Sequence, residues 1–267
     1  MLFWVFFPSM FFEEIHQPGL LIGLAILFGI PLSLFEYLYH RYFLHHAVLP
    51  FLSKMHKAHN EHHGLTSVKA PVNPKQEDLK VHVVNNYAIE SIPQKESMMF
   101  PGYGISIFQC IFILTIGLPL KLIWPHLPVI LATITSVTVM YVAYEVWHAI
   151  LHFPYTKYWK PLLEGNKWYS SSIRRSYGFH LIHHFRPKTN LAIVGLWGFP
   201  LWDYLGRTRI GPKVLPLPGS KICYIDGIVP RPSWPIRVMD AWQTPMYKWS
   251  RRVDDWTIRQ LRRTVHS

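Results

Sequence analysis

The sequence predicts an all-α integral membrane protein, with about three to four transmembrane helices and a helical cap that holds a histidine-rich di-metal site. Three observations predict this. Three stretches of about twenty residues are almost free of charge, long enough at about 1.5 Å per residue to cross a bilayer core of about 30 Å. Twelve of the 16 histidines fall in four short windows at helical spacing. Nearly all lysines and arginines lie on the same side of the expected spans as those windows.

Composition agrees. The 267 residues are 50% hydrophobic and include 11 Trp, 14 Tyr and 16 Phe, the aromatic richness common where side chains sit at a lipid–water boundary. A net charge of +12 suits an anionic lipid surface or an acidic protein partner. No zinc-finger, RRM or helix-turn-helix signature accompanies it, so nucleic acid is not an expected partner. Cys110 and Cys223 give neither a disulfide framework nor a thiolate metal site, and fit a reducing compartment.

In chain order, residues 1–12 are apolar and aromatic but too few to span. Without a basic leader or a small-residue cleavage site they do not read as a signal peptide. They are expected to lie in the interface as an anchor or to pack on the domain. The first span is expected over residues 19–39, kinked at Pro31. Its last turns bring Glu36 one helical step before His40, where the carboxylate is expected to orient the imidazole by accepting its second N–H; a solvated helix end is the alternative. Glu145, three residues before His148, is expected in a similar supporting role. Residues 64–102 are polar and proline-broken, a surface excursion. Spans are expected over 104–124 and 127–147, a tight antiparallel pair joined at Pro125 and His126. Residues 153–179 interleave aromatic and basic side chains, as a headgroup-level segment or a structured loop would. Residues 191–205 are apolar but short, a half-buried helix or loop pair and not a span. Residues 211–235 read as extended. In 236–265, Trp242, Trp249 and Trp256 recur every seven residues on one face of a basic amphipathic helix. Two units are expected: a membrane-embedded metal-binding unit over 1–210 and a basic, Pro- and Trp-rich C-terminal extension over 211–267.

Topology tests the metal reading. Three spans in this order deliver all four histidine windows to one face. All but one of the 27 Lys and Arg residues, Lys121, fall on that face, and the positive-inside tendency makes it, and the C-terminus, cytoplasmic.

The windows hold His40, His45 and His46; His56, His59, His62 and His63; His148 and His152; and His180, His183 and His184. At about 100° per residue, positions i, i+3 and i+4 share a face, which aligns His59/His62/His63, His148/His152 and His180/His183/His184. His40 and His45 fall about 140° apart, so the helix is expected to end or loosen between them. A lone buried histidine is usually a satisfied core residue. Ten left unsatisfied would cost on the order of 10–30 kcal/mol, more than a fold of marginal stability carries. The four windows are therefore expected to enclose two metal ions. Neutral imidazole suits zinc, copper, iron and nickel. His46 and His56 have better-spaced histidines beside them, and His56 is kept as a possible additional ligand.

The windows resemble the histidine boxes of the fatty acid hydroxylase and sterol desaturase superfamily: HxxxxH at His40/His45, HxxHH at His59/His62/His63, HxxxH at His148/His152 and HxxHH at His180/His183/His184. Glu36-Tyr37 before His40-Arg41, Tyr144 before His148 and Leu201-Trp202-Asp203-Tyr204 after the last box look like the branch of fatty acid 2-hydroxylases. The resemblance covers roughly residues 30–210. It implies a helical fold with a cytosolic cap, a di-iron centre (zinc in some recombinant proteins) and O2 as co-substrate. It carries over His40, His45, His59, His62, His63, His148, His152, His180, His183 and His184 as ligands; His56 matches an additional histidine near this box in relatives. Within these 267 residues no fused cytochrome b5 domain is expected, three spans stand where relatives often have four, and the gap from His152 to His180 is long.

The expected function is O2-dependent hydroxylation of a lipid acyl chain or related hydrocarbon, since an unactivated C–H bond calls for redox metal rather than acid–base chemistry. Electrons would come from a separate cytochrome b5, ferredoxin or reductase, docked on the basic face. Alternatives are a desaturase or sterol-type C–H oxidase on the same site, a non-redox membrane protein that binds or transports metal, or a relative whose metal is structural.

Overall fold

A computed structural model describes residues 8–45, 53–69, 84–164, 167–211, 215, 217 and 230–265. The chain is mostly helical there. Helix α1 (Pro8–Ile15) precedes α2 (Pro18–Tyr39), which runs unbroken through Pro31 into a π-helical turn, His40–Leu44. Helix α3 (Ser53–Leu65) follows, then a two-stranded antiparallel pair, β1 (Val68–Lys69) and β2 (Val84–Asn85), and α4 (Ile92–Met98). Helix α5 (Gly104–Phe112) continues through a π-helical turn, Ile113–Gly117, into α6 (Leu118–Ile123). Then come α7 (Val129–Leu151), a π turn at Tyr155–Trp159, α8 (Lys160–Glu164), α9 (Ser170–Phe185), α10 (Leu201–Leu205) and α11 (Trp234–Val265).

Three helices are long and apolar enough to cross a membrane: Pro18–Leu44, Gly104–Ile123 and Val129–Leu151. The first and third run past their expected ends, because window one continues as a π turn and window three is the last turn of α7. Residues 191–205 form no span.

Helices α2 and α7 pack along their length, with α5 beside α7. Phe35 stacks on Tyr39 and meets Phe108 and Phe112 edge-on at ring separations of 5.0–5.5 Å, a favourable aromatic geometry. A strap of residues 189–211 runs back along α2. Gly29 has no Cβ because the Trp197 indole occupies that place, 2.6 Å from where one would stand. Trp197 Nε1 donates to the Ile26 carbonyl and Trp202 Nε1 to Ser33 Oγ, at 3.2 Å and 2.9 Å. Further along, Arg41 forms a two-pronged pair with Asp240 of α11 at 2.9 Å and 2.7 Å.

The N-terminal apolar stretch packs on the domain where it is described. Helix α1 lies against α2 and α7, and its Glu14 is fully buried. Its carboxylate meets Lys121 Nζ at 2.9 Å and accepts the Leu131 N–H at 2.6 Å. Glu14 thus neutralises the one cation between residues 103 and 153. Breaking a buried pair leaves an uncompensated charge at a cost of roughly 3–5 kcal/mol. Lys121→Met should lower the thermal midpoint in detergent clearly, and the double change Lys121→Met, Glu14→Gln should recover most of the loss; equal losses in both would show that the pair is not what stabilises this corner.

Candidate metal centre

Ten histidines form two buried groups. One nitrogen from each of His40, His45, His59, His63 and His183 lies within 4.8 Å of the others, and the same holds for His62, His148, His152, His180 and His184. The groups adjoin, with the His63 ring stacked on His184 at 4.2 Å.

Helix geometry explains the partition. In each HxxHH box the first and last histidines, i and i+4, point one way and the middle one, i+3, the other. On α3, His59 and His63 enter the first group and His62 the second; on α9, His180 and His184 enter the second and His183 the first. His148 and His152, also i and i+4, complete the second group. His40 and His45 complete the first, and here the π turn matters. Its wider i→i+5 repeat brings the two rings into a stack, 5.5 Å apart and 11° from parallel. The expected loosening between them is this turn.

Backbone carbonyls settle which nitrogen carries the proton. A carbonyl can only accept, so a ring nitrogen facing one must be N–H. His40 Nδ1 donates to Leu191 at 2.5 Å, His152 Nδ1 to Tyr87 at 2.7 Å, His183 Nδ1 to Thr189 at 2.9 Å and His184 Nδ1 to Thr66 at 3.0 Å. In a neutral ring each Nε2 is then a lone pair. His180 Nε2 stands 3.1 Å and 3.2 Å from two of these, on His152 and His184, and His62 Nε2 stands 3.1 Å from that of His152. His180 and His62 can each bring at most one N–H to these three contacts, so one contact is left without a donor of its own, whereas a cation among the nitrogens would satisfy all of them.

Buried nitrogens without a partner among the described residues agree: His40 Nε2, His59 Nε2, His62 Nδ1, His180 Nδ1 and both nitrogens of His148. Each such group costs about 1–3 kcal/mol, and a bound cation satisfies several at once. Metal–imidazole bonds of about 2.0–2.1 Å place cis nitrogens about 3 Å apart, close to the separations seen. Protonation does not compete. Burial, helped by neighbouring imidazoles, holds His59, His62, His63, His180 and His184 well below the ordinary histidine range. Burial likewise brings His152 down to about 3 and His183 to about 4. The residues therefore fit a metal: each group can hold an ion.

Two supporting roles differ from expectation. Glu36 does not touch His40. Its carboxylate accepts three consecutive N–H groups of the strap, Ile193 at 2.6 Å, Val194 at 2.9 Å and Gly195 at 2.8 Å. Those donors engage both of its oxygens, and the Leu191 carbonyl takes the place beside His40. Glu145 accepts the Phe100 N–H at 3.4 Å and so secures the start of α5 rather than a histidine. His56 belongs to neither group; its Nδ1 donates to the Leu44 carbonyl at 2.9 Å, tying α3 to the end of the π turn. His46 lies outside the described residues.

Residues outside the histidine boxes complete the site. Tyr87, in the supposed surface excursion, is fully buried with its ring 4.2 Å from that of His152. Asn190 sits between the two carbonyls that orient His40 and His183, at a left-handed φ of 54° that Asn tolerates better than most residues. Its side chain donates to Phe179 and Ile210 carbonyls and accepts the Ile210 N–H. Asp203, fully buried, accepts from Leu191 N, Ala192 N and Thr208 Oγ1 at 2.7–3.0 Å. The 191–192 peptide is thus held by a carboxylate at its N–H end and by His40 at its carbonyl end.

Comparison with protein-family models, with characterised proteins and with solved structures finds no match to the chain.

The carboxylate–peptide–imidazole link makes Asp203 a determinant of metal affinity in the first group. Asp203→Asn puts an amide N–H against one of the strap N–H groups. Metal affinity should fall about 10–100-fold, the usual effect of losing a residue that orients a ligand, in a competitive chelator titration. Unchanged affinity would show that the strap holds His40 without this carboxylate.

Proposed function

We propose that the chain is a membrane di-iron oxygenase of the fatty acid hydroxylase and sterol desaturase type, which hydroxylates a lipid acyl chain or related hydrocarbon. The reading rests above all on two adjoining, buried, all-imidazole groups at the ends of apolar helices. The four histidine boxes of the sequence contribute all ten rings. Histidines strung along a spanning path would suit metal transport; these lie at helix ends.

The balance is one C–H bond, one O2, two electrons and two protons giving an alcohol and water. Iron bound by the ten imidazoles would supply the oxidising power that acid–base side chains lack. The chain's own residues position and protect. His40, His45, His59, His63 and His183 would hold one ion, and His62, His148, His152, His180 and His184 the other. The carbonyls of Thr66, Tyr87, Thr189 and Leu191 keep four rings aimed with Nε2 inward. Tyr87 and the apolar walls around Tyr144 exclude water. A chamber of about 70 Å³, lined by Phe35, Tyr39, Phe108, Phe112 and Met140, reaches His40 from between the spans. It is apolar enough to admit O2 and too small for a lipid. The positive-inside tendency would put the site on the cytoplasmic side, where the basic surface can dock an acidic electron donor such as a cytochrome b5, a ferredoxin or a reductase.

Purified protein should bind about two iron ions per chain, and His45→Ala and His148→Ala should each lose about one, read by metal analysis. Iron-loaded protein given a reductase, membrane lipid and isotope-labelled O2 should yield lipid carrying one labelled oxygen. Desaturated lipid without label would move the reading to a desaturase on the same site. Two metals with no lipid product of either kind would overturn the oxygenase reading.

A further inference from the structure

A second cavity among the described residues is larger and has a different character. It measures about 610 Å³, within the roughly 300–1,000 Å³ of small-molecule sites. It runs between α7, α9 and the strap, and three parts of its wall matter. Ala143, Val146 and Trp147 line it from α7. That helix exposes Val139, Val142 and Val146 at about half their surface, so the cavity opens toward the side a membrane would cover. His180 of the second imidazole group lines it deeper in. Arg175 and Arg209 supply its only cationic side chains among the described residues.

Those guanidinium groups are held but not neutralised. Arg209 lies over the Tyr204 ring, 4.4 Å from its centroid, a contact that fixes the plane and leaves its N–H donors available. Arg175 spends two donors on Ser171, on the carbonyl at 3.3 Å and the hydroxyl at 3.4 Å. Among the described residues neither pairs with a carboxylate. Two unpaired guanidinium groups in one cavity match the planar, acceptor-rich head of a carboxylate or a phosphate. The apolar α7 wall matches a hydrocarbon chain.

The geometry points to a binding site for an anionic amphiphile: Arg175 and Arg209 hold a carboxylate or phosphate head, and the chain lies along Ala143, Val146 and Trp147, beside His180. This deepens the oxygenase reading and rests on it for the claim that the bound lipid is substrate; binding itself does not. Neutral lipids, such as sterols, fatty alcohols or acyl esters, lack the head that the two arginines select.

The test is equilibrium binding to the purified full-length protein in non-ionic detergent, without reductant, so that no turnover occurs. The probes are a radiolabelled long-chain free fatty acid and a lysophosphatidate of the same chain length, each against its neutral counterpart, the fatty acid methyl ester and the monoacylglycerol. At least one anionic probe should bind about tenfold more tightly than its neutral counterpart, a margin expected of a charge-assisted contact. The carboxylate and phosphate arms identify which head is used. Arg175→Gln with Arg209→Gln should remove that preference while leaving metal content and the helical circular dichroism unchanged, and Arg175→Lys with Arg209→Lys should keep part of it. Equal binding of charged and neutral probes by the wild type, or an anionic preference that survives the double glutamine change, would overturn the site. Arginine-dependent binding without labelled product under iron and O2 would leave the site standing and remove the oxygenase reading. Labelled product from neutral lipid only, unaffected by the arginine changes, would do the reverse.

Discussion

Much of the site depends on one constraint: the proton of a neutral imidazole has to sit on the nitrogen that faces away from the centre. Four backbone carbonyls impose it on His40, His152, His183 and His184. A carbonyl cannot donate, so it leaves no tautomeric choice. The fold around the histidines largely serves to bring those carbonyls into place. Leu191 and Thr189 belong to the strap that Glu36, Asp203 and Asn190 hold on α2 and α9. Tyr87 arrives with the segment after β2, and Thr66 closes the end of α3. Ten rings on four helix segments would otherwise be free to bond one another, and the short Nε2–Nε2 contacts of the second group show how close that alternative lies.

The division of the boxes has a simple origin. A helix that sends i and i+4 to one ion cannot send i+3 to the same ion at the same depth, because i+3 and i+4 are separated by about 100°. The two HxxHH helices therefore each contribute a pair to one group and a single ring to the other. Each group still needs one more pair, and the ends of two apolar helices supply them. The His148/His152 pair comes at ordinary α spacing. His40 and His45 are one residue too far apart for it, and the π turn takes up the extra residue without ending the helix. Such turns are rare and often mark functional sites, and this one stacks two rings of the first group.

The sequence made the helices and the histidines legible because both depend on local periodicity. Apolar runs marked the three long helices to within a few residues at most ends, and i, i+3, i+4 spacing marked every ring in the two groups except His40 and His45, which needed the family pattern. The supporting contacts were illegible for a physical reason. They are made by main-chain carbonyls, which every residue carries, so Leu191, Thr189, Tyr87 and Thr66 have no signature in the sequence. Glu36 shows the opposite error. Its spacing from His40 was right for a direct contact, yet a half-buried carboxylate goes to the best cluster of donors, and three successive strap N–H groups outcompete one imidazole. Tyr87 was hidden by its polar surroundings, which read as surface although Tyr87, like Thr66 of the same stretch, is fully buried.

The electrostatic balance follows from the same arrangement. Among the described residues no carboxylate or thiolate occurs in either group, so each bound divalent ion would bring its full charge into a buried, low-dielectric space, which is costly unless compensated. Asp203 is a buried carboxylate of the strap, and Glu36 is the half-buried carboxylate of α2 that holds the strap. Direct ligation by either would have lowered the charge at the metal most effectively, but it would also have withdrawn the anchor that positions the carbonyls. Relaying the charge through a peptide does both. Asp203 accepts the Ala192 N–H at 3.0 Å, and the carbonyl of that same peptide, on Leu191, accepts from His40 at 2.5 Å. Polarisation along such a chain makes the carbonyl a stronger acceptor and the imidazole a stronger base. The negative charge thus reaches the first group through His40 while the carboxylate itself remains a structural clamp, and an all-imidazole lining would not leave a bound cation uncompensated.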